Sequence, residues 1–216
     1  MFPAKKALAG VLAVAVAAAA GAALYGAYAS YQARSQQRAV AALVGEATAR
    51  LREDLAGSPS ADRAKKIEAT LETLRATRAS RQKPLAYAAE NYLLGARGIV
   101  LRRSQAGELT QRAEASRQAL VAHMSSARGR DGGWIQRATA LKKQTDQVHT
   151  ELALQLKTLA DLLEDLPEAE RSLAPLMDAS LLLEEPLREA ALKRAKDDAR
   201  RAADAAAAQQ QMLSPR

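Results

Sequence analysis

The sequence predicts an all-α protein: an antiparallel helical bundle with long coiled-coil-like helices, following an N-terminal transmembrane or signal helix. Three observations carry this reading. Apolar residues recur at three- and four-residue steps in nearly every segment, and the best β-like run, Ile99-Val100-Leu101, is cut short by Arg102 and Arg103. Alanine dominates a hydrophobic content of 48%, while aromatics are only 3%. Alanine is the best helix former and buries little surface, so closely packed helices with Leu and Val seams are expected. An uncharged stretch, Ala7 to Ala29, stands apart at the N-terminus. The chain thus divides into 1–29, anchor or signal; 30–186, helical bundle; and 187–216, an Ala-rich charged C-terminal helix with a frayed tail.

Lys5 and Lys6 precede the uncharged run, whose apolar weight rests on Ala7, Leu8, Val11, Leu12, Val14, Val16 and Leu24. As a helix the run spans roughly 34 Å, enough for a hydrocarbon core of about 30 Å. Tyr25, Tyr28 and Tyr31 follow, and such amphipathic rings favour the lipid–water interface. Two structures fit. One is an uncleaved single-pass anchor in a bacterial inner membrane. The other is a secretory signal cleaved at Ala27-Tyr28-Ala29, which would release a periplasmic protein. The length, the tyrosines and the helical pattern beyond Ser30 favour the anchor. The short basic N-terminal tail keeps that end in the cytoplasm and sends the C-terminal domain to the periplasm, with Arg34 and Arg38 opposing this weakly. Small residues at Ala18, Ala22 and Gly26 would let two anchors pack, which makes a homo-oligomer a further expectation.

Along the rest of the chain, Val40, Val44, Ala47, Leu51 and Leu55 place one helix face, ended by Gly57-Ser58-Pro59-Ser60. Either Ser58, with Pro59 at the first helical position, or Ser60 alone caps the next helix. That helix presents Ala64, Ile67, Leu71 and Leu74. Pro84 begins a third helix, through Tyr92, Leu93, Ile99 and Val100. Gly95, Gly98 and Gly107 weaken it by roughly 1 kcal/mol each against alanine, or admit a neighbouring backbone; Gly107 either kinks one helix or separates two. Arg130-Asp131-Gly132-Gly133 reads as a tight loop. After it, Trp134, Ala138, Leu141, Thr145, Val148, Leu152, Gln155, Leu159, Leu162 and Leu166 alternate by four and three, a heptad track. The polar and small members of that track favour the interior of a single-chain bundle over a coiled coil between chains. Pro167 is expected to stop the helix. A short element punctuated by Pro175 and Pro186 follows, and then a helix with little to bury after Leu192.

Charge bounds the partners. The net charge is +8, and the stretch Arg63 to Arg130 is basic while Asp161 to Glu185 is acidic. We expect these stretches to face each other across the bundle. The absence of cysteine excludes disulfides, thiolate metal sites and cysteine nucleophiles. Asp146 and His149 sit on one helix face, but a metal site needs three or four ligands. Glu184 and Glu185 are adjacent and point in different directions. No serine elbow, P-loop or dinucleotide fingerprint occurs. The expectation is no enzyme, no cofactor and no metal. Nucleic acid is not expected either, since the arginines of 97–130 have almost no aromatics among them to stack bases. Trp134, the only tryptophan, begins the best helix after a glycine pair; it is expected to cap the end of the bundle core, and it is also the candidate docking anchor.

A membrane-tethered structural, assembly or adaptor protein that binds an envelope protein partner therefore fits best. The alternatives are a cleaved soluble periplasmic adaptor or chaperone, and a ligand-sensing bundle. The latter resembles the extracytoplasmic four-helix domains of bacterial chemoreceptors in outline only, through helix count and an N-terminal span.

Overall fold

In the computed structural model the backbone is described over residues 4–77, 83–126 and 132–211, and side chains over 23–77, 84–126 and 132–208. Five helices follow in order: α1 (Ala4–Ala56), α2 (Ala61–Thr77), α3 (Lys83–Ser125), α4 (Gly132–Leu173) and α5 (Glu185–Gln211). A 3₁₀ turn, Ala179–Leu181, lies between α4 and α5. Among the described residues there is no strand. The 53 residues of α1 make a rod roughly 80 Å long, and the 43 of α3 one of roughly 65 Å.

Helices α1, α3, α4 and α5 close a ring, each packing on the next, and α2 covers α1 and α3 from outside. Cross-contacts give the directions. Gly95 meets Leu166, Gly98 meets Leu162, Arg102 bonds Gln155 and His123 stacks on Trp134, so α3 and α4 are antiparallel. The pairs Glu170–Arg188 and Glu164–Lys196 set α5 antiparallel to α4. Thr48 with Tyr92 and Asp54 with Arg103 set α1 parallel to α3. At the crossing of α3 and α4 a Cβ on Gly95 would lie 3.2 Å from Leu166 Cδ1, and one on Gly98 would lie 3.2 Å from Leu162 Cδ1. These two glycines admit the neighbouring helix; their flexibility has no part in it.

The core follows the helical period. Val44, Ala47, Leu51 and Leu55 of α1 are buried, as are Ala64, Ile67, Leu71 and Leu74 of α2. Each fully buried leucine or isoleucine contributes about 1.5–3 kcal/mol of transfer free energy. On α4 the buried stripe is Thr145, Val148, Leu152, Leu156, Leu159, Leu163 and Leu166. It keeps Leu159 and Leu166 of the heptad track, but beyond Leu152 every second position shifts by one residue, to Leu156 and Leu163, leaving Gln155 and Leu162 half-buried. A straight helix advances more slowly than a 3.5-residue repeat, so a long seam drifts around it unless the helices supercoil. This stripe faces α3 and α5 of the same chain.

Four expectations need correction. Pro167 does not stop α4, which continues to Leu173. Proline costs a helix interior about 3 kcal/mol, and the following turn offsets this by burying Leu173 and bringing Glu170 to Arg188. Gly132 and Gly133 are already helical in α4, while the rest of the expected tight loop, Arg130 and Asp131, lies outside the described residues. Gly107 does not separate two helices: α3 is one helix from Lys83 to Ser125. The segment after Leu192 buries more than expected: Ala195 and Ala202 are in the core and Ala199 packs against it. Small side chains here let α5 lie close against α4. The frayed tail expected at the C-terminus, 212–216, lies outside the described residues.

Candidate functional site

Three parts of the rod hold the residues singled out in the sequence. At the N-terminal end, Ala7, Leu8, Val11, Leu12, Val14 and Val16 lie on α1 but outside the residues whose side chains are described. The later anchor residues are described, and they are uncovered: Leu24 is 72% exposed, Tyr25 62% and Tyr28 59%. From Ala23 to Ala39 every side chain is exposed or half-buried. The bundle takes hold near Gln37, whose amide donates to Leu176 O at 2.7 Å. Among the described residues no helix is long and apolar enough to cross a membrane; most of the uncharged run lies before the residues whose side chains are described.

At the opposite end, the α3–α4 hairpin extends past the α1–α2 turn, where Pro59 meets Gly107. Trp134 is half-buried there and stacks on the His123 ring, with centroids 5.0 Å apart and planes inclined by 22°. His123 Nε2 lies 3.0 Å from Trp134 O and donates to it in the tautomer protonated there. Trp134 thus clasps the tip of the hairpin. Val121 and Met124 near the end of α3 and Ile135 near the start of α4 are exposed.

Two buried polar nodes join the helices between these ends. In the first, Asp54 is fully buried in the last turn of α1. Its Oδ1 accepts from Ser60 N at 3.0 Å and Arg63 Nη1 at 3.3 Å, and its Oδ2 from Arg103 Nη1 at 3.0 Å. Arg103 also donates to Asp54 O and Gly57 O, so one guanidinium caps the C-terminal carbonyls of α1. Burial raises the Asp54 pKa above the ordinary carboxylate value, with Arg103, Ser60 and Arg63 opposing. In the second node, Tyr92 OH and Thr48 Oγ1 lie 2.8 Å apart, and Thr48 donates to Val44 O. Burial pushes the Tyr92 hydroxyl up to about 12. Glu170, beside it, pairs with Arg188 of α5, and burial raises its pKa despite Arg188. The Leu183 backbone serves both Tyr92 and Glu170.

Periodicity could not find these nodes, because it treats Asp54 and Glu170 as ordinary polar positions. Asp54 did carry a signal: a carboxylate in the last turn of a helix opposes the macrodipole and calls for a cation. The basic and acidic stretches do lie against each other, with Gly95 meeting Leu166 and Gly98 meeting Leu162. Among the described residues no ion pair joins them. Arg63, Arg97 and Arg103 pair with Asp54 and Glu68 of α1 and α2, while Glu164, Glu170 and Glu184 pair with Lys196, Arg188 and Arg52. These pairs join elements that pack directly on each other.

Little of this arrangement suggests chemistry. Asp146 pairs with Lys142 at 3.5 Å, and His149 Nδ1 donates to Thr145 O at 2.9 Å. Glu184 and Glu185 point apart, to Arg52 and Arg188. Among the described residues no group of three acidic or histidine side chains could hold a metal ion. An open depression of about 520 Å³ between α1 and α2 has its charges matched in pairs, Arg50–Glu46, Arg63–Glu53 and Lys66–Asp62. No protein-family model matches the chain, and no curated protein or solved structure matches it.

Proposed function

We propose that this chain is a membrane-anchored helical-bundle protein of the bacterial envelope, a structural, assembly or adaptor component that acts by binding a protein partner and not by catalysis. One observation carries the reading. Helix α1 runs unbroken from Ala4 to Ala56, so the uncharged run and the core residues Val44, Ala47, Leu51 and Leu55 belong to a single rod. A single-pass helix in the inner membrane would hold the bundle in the periplasm at a fixed distance and angle. Tyr25, Tyr28 and Tyr31 would sit at the interface with lipid. The far end, with Trp134 and its apolar neighbours, would meet the envelope partner roughly 60 Å further out along α3.

The test uses the full chain expressed in bacteria. Mass spectrometry of the purified protein reports its N-terminus, and alkaline extraction of the membrane fraction reports integration. The reading expects an intact N-terminus, retention in the membrane pellet, and protection of Ser58→Cys from labelling until the outer membrane is opened. The native chain has no cysteine, so the label has one target. A mature protein beginning near Ser30 would overturn the anchor, and full-length chain in the soluble cytosolic fraction would overturn the localisation.

A further inference from the structure

The ring of α1, α3, α4 and α5 loses a member where α1 ends at Ala56, while the other three helices continue. A cavity of about 190 Å³ opens at that point, roofed by Leu55 and Pro59. Its floor is apolar: Leu156, Leu159 and Leu163 of α4. Its walls are small residues, Ala106 and Gly107 of α3 and Ala191 and Ala195 of α5, so an empty width is left between those helices. Its mouth carries two guanidinium groups. Arg103 is already committed to Asp54 and the α1 carbonyls. Arg194 makes no ion pair or hydrogen bond among the described residues, and the one acid at the mouth, Asp198, pairs with Arg201.

We propose that this cavity binds a short-chain aliphatic carboxylate, with the hydrocarbon on the leucine floor and the carboxylate on Arg194. The volume sets the size. At roughly 30 Å³ per non-hydrogen atom, about six atoms fit, well under the 300–1,000 Å³ of sites for drug-sized ligands. A five-carbon tail with its headgroup at the mouth meets that limit. Charge sets the class: an apolar floor below an uncommitted guanidinium selects an anion over an alcohol of equal length. Position sets the source. Along α1 the rise from Tyr31 to Leu55 is roughly 36 Å, so, on the anchor reading above, a bilayer lipid cannot reach the cavity and the ligand is a free solute.

The experiment is an NMR titration of the full chain, methyl-labelled at leucine and held in lipid nanodiscs, with hexanoate and with hexanol. The proposal expects saturable shifts at Leu156, Leu159 and Leu163, with hexanol at least about tenfold weaker, as for a lost charge-assisted hydrogen bond. Arg194→Gln should weaken hexanoate by about tenfold and leave hexanol unchanged. Ala195→Leu, which fills the cavity, should abolish both; if it disturbs the fold by circular dichroism, Gly107→Leu fills the same space from α3. Equal binding of acid and alcohol, indifference to Arg194→Gln, or shifts that persist in a folded filled variant would each overturn the proposal, as would the absence of any saturable shift. That last result would leave a packing void at the end of α1. The shifts are read at the α4 leucines and report the cavity alone, whereas failure of the anchor reading shows separately, as a chain that does not enter the nanodiscs and is titrated in buffer instead.

Discussion

Three glycines in α3 separate local propensity from packing. Alanine is favoured over glycine by about 1 kcal/mol in a helix interior, and this gain is common to Gly95, Gly98 and Gly107. What a Cβ would meet is not. At Gly107 the nearest atom is Pro59 Cγ at 3.8 Å, an ordinary contact, so Gly107→Ala should keep the full gain, about 2–4 °C in Tm for a chain of this size. At Gly98 the Cβ would lie 3.2 Å from Leu162 Cδ1. Leu162 is half-buried and can turn outward, so most of the gain is cancelled and the net change is near zero. At Gly95 the obstacle is Leu166 Cδ1, also at 3.2 Å, and Leu166 is only 2% exposed. Overpacking typically costs 1–3 kcal/mol, so Gly95→Ala should lose about 1 kcal/mol net. Urea and thermal unfolding of the full chain, followed at 222 nm, would rank the three, with an unchanged urea slope confirming that stability alone moved. If Gly95→Ala stabilises as much as Gly107→Ala, the close approach of α3 and α4 is wrong.

Other perturbations test the rest of the architecture. Leu163→Ala should cost about 2–5 kcal/mol, as for a core leucine, and Leu162→Ala clearly less; the reverse order in urea melts would restore the heptad track as the true seam. Asp54→Ala leaves Arg63 and Arg103 without their carboxylate, and because both guanidinium groups reach solvent the loss should be about 2–3 kcal/mol, below the 3–5 typical of fully buried pairs. Asp54 and Glu170 hold their protons more tightly folded than unfolded, so their contribution is complete below their ordinary values, 3.8 and 4.5, and is lost as pH rises through the higher folded values. The stability difference between the native chain and an Asp54→Asn, Glu170→Gln variant should therefore shrink with rising pH across that window; a difference that grows would refute the sign. In ultraviolet titration Tyr92 should ionise near 12, and in Tyr92→Phe that last phase should disappear. His123→Ala should shift the emission of the sole tryptophan to longer wavelength by uncovering the indole, and an unchanged spectrum would argue against the stack.

Much of the architecture was legible in the sequence. Helical period alone marks Ala64, Ile67, Leu71 and Leu74 as one face, and all four are buried. Trp134 reads as an end-cap because it follows a glycine pair at the start of a long periodic helix, and it is found clasping the hairpin tip. These properties are local: side chains three and four apart share a face whatever lies opposite. Which faces meet was not legible. The drift from Leu162 to Leu163, the passage of α4 through Pro167 and the docking of alanines 195 and 202 depend on neighbours distant in the chain. The same holds for Asp54, Tyr92 and Glu170, which become buried nodes only because Arg103, Thr48 and Arg188 arrive from other helices. Composition and period decided that helices form and which side of each is apolar, since both follow from short-range sterics and solvation. Partner choice among helices, and therefore the charges that pair and the cavity where α1 ends, was settled by the tertiary structure, because it depends on the summed fit of surfaces brought together from the whole chain.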